Sequence, residues 1–277
     1  MTGAGAGPQG TAPQIASGST TKAPSGGQAV SPMVSLPPLA APTDELWHLL
    51  LDMAETLPVP WTIVGGQMVL LHALEHGQVP IQVSQDGDIV ADIRADPAAV
   101  SKVVAWLESN GLTVDSMSPQ GIAHRYTRDG RAGTGVVTVD VLAPEGLGEH
   151  ADLVTTPPGR TLMVPGGSQA LKRTERVVVR HGGRTGPVPR PSLLAAIVGK
   201  AAAVTLPGNP ERHYRDLALL LSIVPDPFEM REQLSAKDRE RLRAAIKLTA
   251  DDHVAWTLVP ADLRSSGQAA LQILLDT

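Results

Sequence analysis

Two aspartates separated by one residue stand between apolar stretches in VSQDGDIVADI, residues 83–93. Alternate residues of a β-strand project to the same face of a sheet, so Asp86 and Asp88 would present their carboxylates together if this stretch is extended. Two like charges at that spacing repel each other, and a bound cation neutralises them. The alternative is a tight turn, because Asp-Gly between alternating apolar runs is also a hairpin signal. The spacing therefore predicts either half of a metal site or a turn.

A third carboxylate lies inside the β-branched segment VVTVDVL, residues 136–142. An unpaired charge in a buried strand is costly, so Asp140 either joins Asp86 and Asp88 or faces solvent while the neighbouring valines face the core. Three carboxylates supply the oxygen ligands that suit Mg²⁺ or Mn²⁺, and these ions also hold substrate phosphates. The three aspartates are therefore candidate metal ligands.

Two further features could serve a phosphate-bearing ligand. Gly65-Gly66 lies between a predicted strand and a predicted helix, where glycine lets the backbone approach a phosphate, although such a pair is also a common turn. It is not a Walker loop, because Gly-Lys-Ser/Thr does not follow. Lys200 is the one charged residue in LLAAIVGKAAAV, residues 193–204. Its ammonium group either reaches solvent, while the aliphatic part of the side chain lies on apolar surface, or binds a triphosphate. Asp216 could orient Lys200, or simply favour the start of its own helix.

Taken in order, the Gly-Gly before a helix, the two aspartates one residue apart and the later strand Asp resemble the DNA polymerase β-type nucleotidyltransferase superfamily. Within it, residues 166–221 are similar to the AbiEii-type nucleotidyltransferase toxins. Their pattern there is a strand, a proline-led helix with a lysine, a loop, and then a basic residue followed by Asp-x-x-x-Leu. The resemblance covers about residues 44–225 and rests on several short motifs in the right order.

The resemblance implies an α+β fold with a nucleotidyltransferase-like mixed β-sheet flanked by helices, followed by a C-terminal helical half. It implies that Mg²⁺ or Mn²⁺ would hold a nucleoside triphosphate (NTP) while a hydroxyl attacks the α-phosphate and pyrophosphate leaves. By position, Asp140 would also help to take the proton from that hydroxyl. The implied residues are Asp86, Asp88, Asp140, Lys200 and Asp216 for catalysis, Gly65, Gly66, Ser84, Lys200 and Arg215 for the nucleotide, and Asp86, Asp88 and Asp140 for the metal.

The same resemblance implies the partners. Members of the toxin family transfer nucleotides to RNA, tRNA ends included, or to protein, and they pair with a separate antitoxin in toxin-antitoxin or phage-defence systems. A cluster of basic residues would fit an RNA acceptor, although a solvated basic face is the ordinary alternative. The cluster consists of Lys172, Arg173, Arg176, Arg180, Arg184 and Arg190.

Two departures from the family pattern favour a different outcome. Gln82-Val83-Ser84 stands where the family usually has Arg-x-Thr, and Gly87 stands where an apolar residue usually separates the aspartates. The first change removes a fixed cation, and the second loosens the strand that aims the carboxylates. A catalytically degenerate fold that binds a nucleotide or a partner protein is therefore the alternative to an enzyme.

A separate motif, His-x-x-Glu-His at residues 72–76, matches the zinc motif of inverted zincin peptidases. Two histidines four residues apart on a helix could hold zinc, with Glu75 as general base. The motif ends immediately before Gly77, where an exposed histidine also interacts favourably with the helix dipole. No downstream glutamate stands out as the third ligand, so a zinc peptidase is the weaker alternative.

Hydrophobic periodicity indicates the elements that position these residues. Apolar positions at helical spacing predict helices over residues 44–57, 67–76 and 96–111, with Asp96 as the N-cap of the third. After Pro191 helical patterns dominate, so an α+β half precedes a helical half. Strands are predicted within residues 60–64, 79–93, 112–117, 121–128, 135–144 and 175–182.

The first 42 residues are mostly Gly, Ala, Ser, Thr, Pro and Gln and cannot bury enough apolar surface to offset the entropy of ordering. They are predicted to be a disordered N-terminal tail, with residues 31–42 partly extended along the domain. The predicted domains are thus the tail at 1–42, a nucleotidyltransferase α+β domain at 43–190 and a helical domain at 191–277.

Composition narrows the class of protein. A hydrophobic fraction of 42% with only 3% aromatic residues predicts a core of Leu, Val, Ile and Ala. The absence of cysteine excludes disulfides and cysteine metal sites, and a net charge of −5 argues against a surface built throughout for nucleic acid. No apolar run reaches the roughly 18 to 20 residues that span a bilayer, and no secretory signal is evident. We expect a cytoplasmic protein without a membrane partner.

Overall fold

The computed structural model describes residues 1–3, 33–80 and 83–276. Gln82, one of the two departures from the family pattern, lies outside these residues, as does most of the predicted tail. The helices are α1 (Ala41–Thr56), α2 (Gly65–Glu75), α3 (Ala99–Ser109), α4 (Gly167–Lys172), α5 (Leu193–Ala203), α6 (Pro210–Ser222), α7 (Pro227–Glu232), α8 (Ala236–Arg243) and α9 (Ala261–Leu275). Short 3-10 helices span Arg131–Gly133, Ile246–Thr249 and Val254–Leu258.

The strands form two sheets. A mixed sheet has the order β2-β3-β6-β5-β4, with β7 beside the end of β6, and a smaller sheet has the order β1-β8-β9. The strands are β1 (Met33–Ser35), β2 (Trp61–Val64), β3 (Asp86–Ala91), β4 (Thr113–Val114), β5 (Arg125–Asp129), β6 (Val136–Pro144), β7 (Leu162–Val164), β8 (Thr174–His181) and β9 (Arg184–Pro191).

The mixed sheet sets the register on which the site depends. β2 is antiparallel to β3, with Val64 opposite Asp88. β3 is parallel to β6, with Asp88 opposite Asp140, and β5 runs antiparallel on the other side of β6, with Arg125 opposite Asp140. Four strand positions that are far apart in sequence therefore meet in one row across the sheet.

Gly87 lies inside β3, so the hairpin alternative for Asp86-Gly87-Asp88 is wrong. The strand runs without a turn from Asp86 to Ala91 and pairs on both sides. Gly87 is buried, and a Cβ atom there would come within 2.9 Å of Leu46 Cδ1 on α1. Glycine at this position therefore lets α1 pack closely against the strand that carries the two aspartates.

The smaller sheet contains a strand that its composition disfavours. β9 carries Pro187, Pro189 and Pro191 and pairs with β8 along its whole length. It lies at the edge of its described sheet, where the missing N–H groups are tolerated. The connecting turn is Gly182-Gly183, and the positive φ angles of both glycines, +54° and +78°, are those of a type I′ hairpin.

Part of the segment assigned to the tail is ordered. β1 pairs in parallel with β8, its Val34 is buried, and the first two residues of α1 also precede residue 43. One apolar side chain and the free edge of β8 are thus enough to place this short strand. The described residues from Met33 onward form one compact unit, and the division at residue 190 stays a prediction.

The helical half packs against the α+β half near the start of α2. Helices α5 and α6 contact each other, and both contact α2. Of the helices in the described ranges, none has the length and apolar character needed to cross a membrane.

Candidate active site

The three predicted carboxylates lie together on one face of the mixed sheet. Asp88 is opposite Asp140 on the neighbouring parallel strand, so their side chains project to the same side, and Asp86 follows the same alternation. Asp140 is only 6% exposed, which excludes the alternative in which it faces solvent. The register thus brings together two motifs that are 52 positions apart in the chain.

Burial and a neighbouring negative charge change the pKa of Asp88. Burial, and next the negative charge of Asp140, raise the pKa of Asp88 to about 6. Lys200 and Arg212 act in the opposite direction, and Asp86 adds a smaller upward effect. Three carboxylates on one face supply the oxygen donors that suit Mg²⁺ or Mn²⁺, although their oxygens do not all lie within 4.8 Å of one another in the described structure.

Arg125 is the cation that the fold itself supplies to these carboxylates. Its Nε donates to Asp140 Oδ1 at 2.8 Å, and its Nη2 donates to Asp140 Oδ2 at 2.8 Å and to Asp86 Oδ2 at 3.3 Å. This pairing raises the pKa of Arg125 despite its partial burial. Sequence reasoning missed Arg125, because its role depends on the β5–β6 register. The available signal was an arginine in a predicted strand close to Asp140 in the chain.

Gly65 and Gly66 leave the space that Asp88 and Ser84 occupy. Gly65 has φ +67°, and a Cβ atom there would lie 1.7 Å from Asp88 Oδ2. A Cβ atom at Gly66 would lie 2.3 Å from Ser84 Cβ. Both glycines therefore allow the N-terminus of α2 to lie directly against Asp88 and Ser84, as the sequence predicts for a phosphate-binding turn.

Ser84 is held by a chain of hydrogen bonds that starts on α1. Trp47 Nε1 donates to Gln67 Oε1 at 3.0 Å, and Gln67 Nε2 donates to the carbonyl oxygen of Ser84 at 2.6 Å. Trp47 and Gln67 are both buried. The side chain of Ser84 receives a longer contact from Arg212, Nη2 to Oγ at 3.4 Å. The segment before β3 is thus fixed against α2 and tied to α6.

Lys200 and Asp216 form a buried pair beside the carboxylates. Lys200 is 4% exposed, and its Nζ donates to Asp216 Oδ2 at 2.5 Å. This burial excludes the alternative in which Lys200 extends to solvent. A buried ammonium group needs a paired carboxylate, and Asp216 is that partner. The charge of Lys200 lowers the pKa of Asp88, and the role of Lys200 in the site stays a prediction.

Helix α6 carries a second arginine near the site, Arg212, that sequence reasoning missed. Arg212 contacts Ser84 and lowers the pKa of Asp88, and the role predicted for Arg215 stays a prediction. Arg212 lies four residues before Asp216, on the same helix face, and this spacing was the sequence signal that could have identified it. Burial and the positive charge of Lys200 lower the pKa of His213 to about 4, so an uncharged imidazole lies beside the pair.

The His-x-x-Glu-His motif does not form a zinc site. His72 is buried, its Nε2 lies 3.0 Å from the carbonyl oxygen of Pro191, and burial, with the charge of Arg190, lowers its pKa to about 3. Glu75 pairs instead with Arg190. The motif therefore holds α2 against β9, and the zinc-peptidase alternative is wrong.

Half of the predicted basic cluster is neutralised by internal contacts. Arg173 pairs with Asp238 at 2.8 Å, and Arg184 pairs with Asp52 at 2.7 Å. Arg190 is 1% exposed and pairs with two glutamates. The other three members, Lys172, Arg176 and Arg180, are exposed, and RNA binding by this face stays a prediction.

Comparisons with known proteins bear on the fold. No family model and no curated protein matches the chain. The crystal structure of an antigenic nucleotidyltransferase-like protein from Paracoccidioides brasiliensis is similar, with a TM-score of 0.50 and 15% identity over 86% of this chain and 94% of that one. The solution structure of the antibiotic-resistance factor ANT(2'')-Ia has a TM-score of 0.39 and 18% identity over 76% and 93% of the two chains.

The first of these similarities confirms the predicted fold class: an α+β, nucleotidyltransferase-like fold with mixed sheets flanked by helices. The narrower resemblance to AbiEii-type toxins stays a prediction.

Proposed function

We propose that this protein is a metal-dependent nucleotidyltransferase that moves a nucleoside monophosphate from an NTP to an acceptor hydroxyl. One observation carries the proposal. Asp88 lies opposite Asp140 across β3 and β6, with Asp86 on the same face, in a nucleotidyltransferase-like fold. Arg125 balances only part of the charge of the three carboxylates on this face, so their mutual repulsion costs stability in the absence of a further cation.

Asp86, Asp88 and Asp140 would hold the Mg²⁺ or Mn²⁺. When bound, the metal would supply positive charge to the triphosphate and to the leaving pyrophosphate. The cation-free carboxylates are partly balanced by Arg125, which contacts Asp86 and Asp140 but makes no hydrogen bond to Asp88. Asp88, with its raised pKa, is therefore the carboxylate that gains most from an added charge.

The remaining residues of the site suit a triphosphate. The glycine turn brings the N-terminal amide groups of α2 to the site, where they favour phosphate oxygens. Lys200, oriented by Asp216, and Arg212, on the next helix, supply fixed positive charges. We assign to Arg212 the role that the missing arginine of the Arg-x-Thr pattern has in the family, because Arg212 lies against Ser84, the third residue of that stretch.

Asp140 is the residue that we propose as proton acceptor. Two hydrogen bonds from Arg125 fix the orientation of its carboxylate beside the site. The acceptor oxygen would form a bond to the α-phosphorus, the bond from that phosphorus to the bridging oxygen would break, and its electron pair would leave with pyrophosphate. Arg125 would then stabilise the negative charge that develops beside Asp140.

For the acceptor, we propose RNA, tRNA ends included, or a protein hydroxyl, in a toxin that acts in the cytoplasm with a cognate antitoxin. A cavity of about 430 Å³ next to Arg125 suits an acceptor group, because His124 and Arg125 line it and His124 Nε2 is 4.0 Å from Asp140 Oδ2.

The alternative is a degenerate fold that binds a nucleotide or partner without transfer. The contacts of Arg125 with two of the three carboxylates favour it, because they balance part of the negative charge of the site without any metal. Gln82 in place of the usual arginine favours it as well.

One experiment distinguishes the transferase from the degenerate fold. The protein is incubated with each α-labelled NTP and Mg²⁺ or Mn²⁺, either with total tRNA or alone. Transfer predicts label in the RNA or protein fraction that Asp86→Asn and Asp88→Asn abolish. The matched control is Asp129→Asn, an exposed aspartate on β5, which should keep full incorporation. Saturable NTP binding without incorporation under all of these conditions would support the degenerate alternative.

A further inference from the structure

A second group of metal-ligating side chains shares no residue with the carboxylate site. It consists of Asp44 and His48 on α1 and His181 at the end of β8. One ligand atom from each of the three lies within 4.8 Å of the others. Asp44 and His48 are four residues apart and therefore share a helix face, and α1 packs on the β8–β9 hairpin that presents His181.

His181 has a buried nitrogen without a hydrogen bond. The residue is 5% exposed, and its Nε2 is buried and finds no hydrogen-bond partner among the described residues. Yet this nitrogen lies only 2.9 Å from Asp44 Oδ1. A buried polar atom in native proteins is almost always satisfied, so a nitrogen that lies beside a carboxylate without hydrogen-bond geometry indicates that a partner is missing.

His48 lies between α1 and the hairpin turn, with its Nε2 near Asp44. Its Nε2 is 3.9 Å from Asp44 Oδ2, and its ring centroid is 5.0 Å from that of His181. The hairpin turn closes over the ring: a Cβ atom at Gly182 would come within 2.6 Å of His48 Cε1 and 2.7 Å of His48 Nε2. Glycine at this turn therefore leaves room for the imidazole between the helix and the hairpin.

We propose that Asp44, His48 and His181 bind a divalent cation of the zinc type. Two imidazole nitrogens and one carboxylate oxygen suit Zn²⁺ rather than Mg²⁺, which prefers oxygen ligands alone. Tetrahedral zinc with bonds near 2.0 Å holds its donor atoms about 3.3 Å apart. This value lies between the distances from Asp44 to His181, 2.9 Å, and from Asp44 to His48, 3.9 Å, so small side-chain rotations complete the site. Arg184 is paired with Asp52, and Arg128, which lines the same cavity as Asp44, is paired with Glu45, so neither takes up the charge of Asp44.

The position of the site defines what the cation does. Asp44 and His48 also line a cavity of about 330 Å³, from which water fills the fourth coordination position. Because the ligands come from α1 and from the end of β8, the cation joins the helix that backs β3 to the small sheet. Zinc therefore stabilises the folded protein, since it binds the folded and not the unfolded chain. This inference does not rest on the proposed transferase activity.

Zinc binding is measured by competition with a chromophoric chelator, on the full chain carrying Asp86→Asn and Asp88→Asn so that the carboxylate site contributes little. We expect one tight equivalent, with Co²⁺ giving the intense visible bands of a four-coordinate site. Asp44→Asn and His48→Gln change half-buried side chains and should each weaken zinc binding at least about tenfold. His150→Gln, an exposed histidine, is the matched control and should bind zinc unchanged.

Thermal unfolding supplies the second measurement. Zinc should raise the melting temperature of the parent and of His150→Gln, and leave that of Asp44→Asn unchanged. The proposal is overturned if Asp44→Asn and His48→Gln fold and bind zinc as tightly as the parent, or if the folded parent binds no equivalent more tightly than isolated surface histidines do.

Discussion

Arg125 lies directly opposite Asp140 across β5 and β6 and donates two hydrogen bonds to its carboxylate, each 2.8 Å long. A third, longer contact reaches Asp86. The guanidinium group thus occupies part of the space in which a metal ion would meet the same oxygen atoms. Arginine and metal therefore compete for Asp140, unless the arginine moves toward the acceptor or phosphate when the metal binds.

Arg125→Gln should tighten Mg²⁺ binding by roughly tenfold at low salt, because removal of a positive charge a few ångströms away favours an added cation. Calorimetric titration of the protein with MgCl₂ measures this change. Arg128→Gln is the control, since Arg128 is on the same strand but pairs with Glu45. Equal Mg²⁺ affinity in Arg125→Gln and the parent would show that Arg125 does not compete for the carboxylates.

Asp88 predicts an unusual dependence of stability on pH in the metal-free protein. Its folded-state pKa, about 6, is above the unfolded value near 4, so between these values the folded state binds more protons. This group therefore lowers the free energy of unfolding as pH rises from about 4 to 6, by on the order of 2 kcal/mol.

Asp88→Asn removes that dependence. In chelator-treated protein, its free energy of unfolding should exceed that of the parent at pH 8 and equal it near pH 4, measured by urea denaturation. The difference between the two proteins cancels the other titrating groups, including His72 and His213, whose lowered pKa values act in the acid range. A constant difference at both pH values would contradict a raised pKa at Asp88.

Gly65→Ala tests whether the turn before α2 is built around Asp88. The new Cβ would overlap Asp88 Oδ2, and the φ of +67° adds backbone strain. The matched control is Gly77→Ala, at the end of the same helix, with φ +71° and no atom within 4 Å of the new Cβ. Strain alone costs roughly 1 to 2 kcal/mol, and we expect Gly65→Ala to lose more stability than that and also Mg²⁺ affinity. Equal losses in the two variants would mean that the overlap is relieved without cost.

The sequence alone predicts the helices and strands that depend on local hydrophobic spacing. The spacing of apolar residues identifies α1, α2 and β6. Residue type and spacing make Gly65, Asp86, Asp88, Asp140 and Lys200 candidate site residues, and their roles stay predictions. What it could not supply is register. Arg125 matters because β5 is paired so that it faces Asp140, and no local signal specifies this pairing.

Three local patterns that point to a different structure have physical explanations of the same kind. β9 contains prolines that argue against a strand, but its position at a sheet edge tolerates them. Gly87 resembles a turn residue, but Leu46 on α1 requires its small size. His72 and Glu75 resemble metal ligands, but β9 supplies the partners of both. In each case a distant element decides the outcome, and single-sequence patterns contain little information about distant elements.

Lys200 provides a test that separates catalysis from folding. Lys200→Met removes the buried ammonium group and leaves Asp216 without its partner, so it should lower both stability, by roughly 3 kcal/mol or more, and transfer activity. In the double variant Lys200→Met/Asp216→Leu both charges are gone, and an apolar pair of similar volume should recover most of the stability. Activity should stay at least about a hundredfold below the parent, because the cation that we assign to the triphosphate is still missing.

The matched control for this test is Lys102→Met, which breaks an exposed pair with Asp96 that has an Nζ–Oδ2 distance of 2.7 Å. An exposed pair contributes about 1 kcal/mol or less, so stability and activity should both stay close to the parent values. Urea denaturation and label incorporation are measured on the same preparations of all four proteins. A double variant that regains activity together with stability would show that Lys200 serves only the packing of α5 against α6.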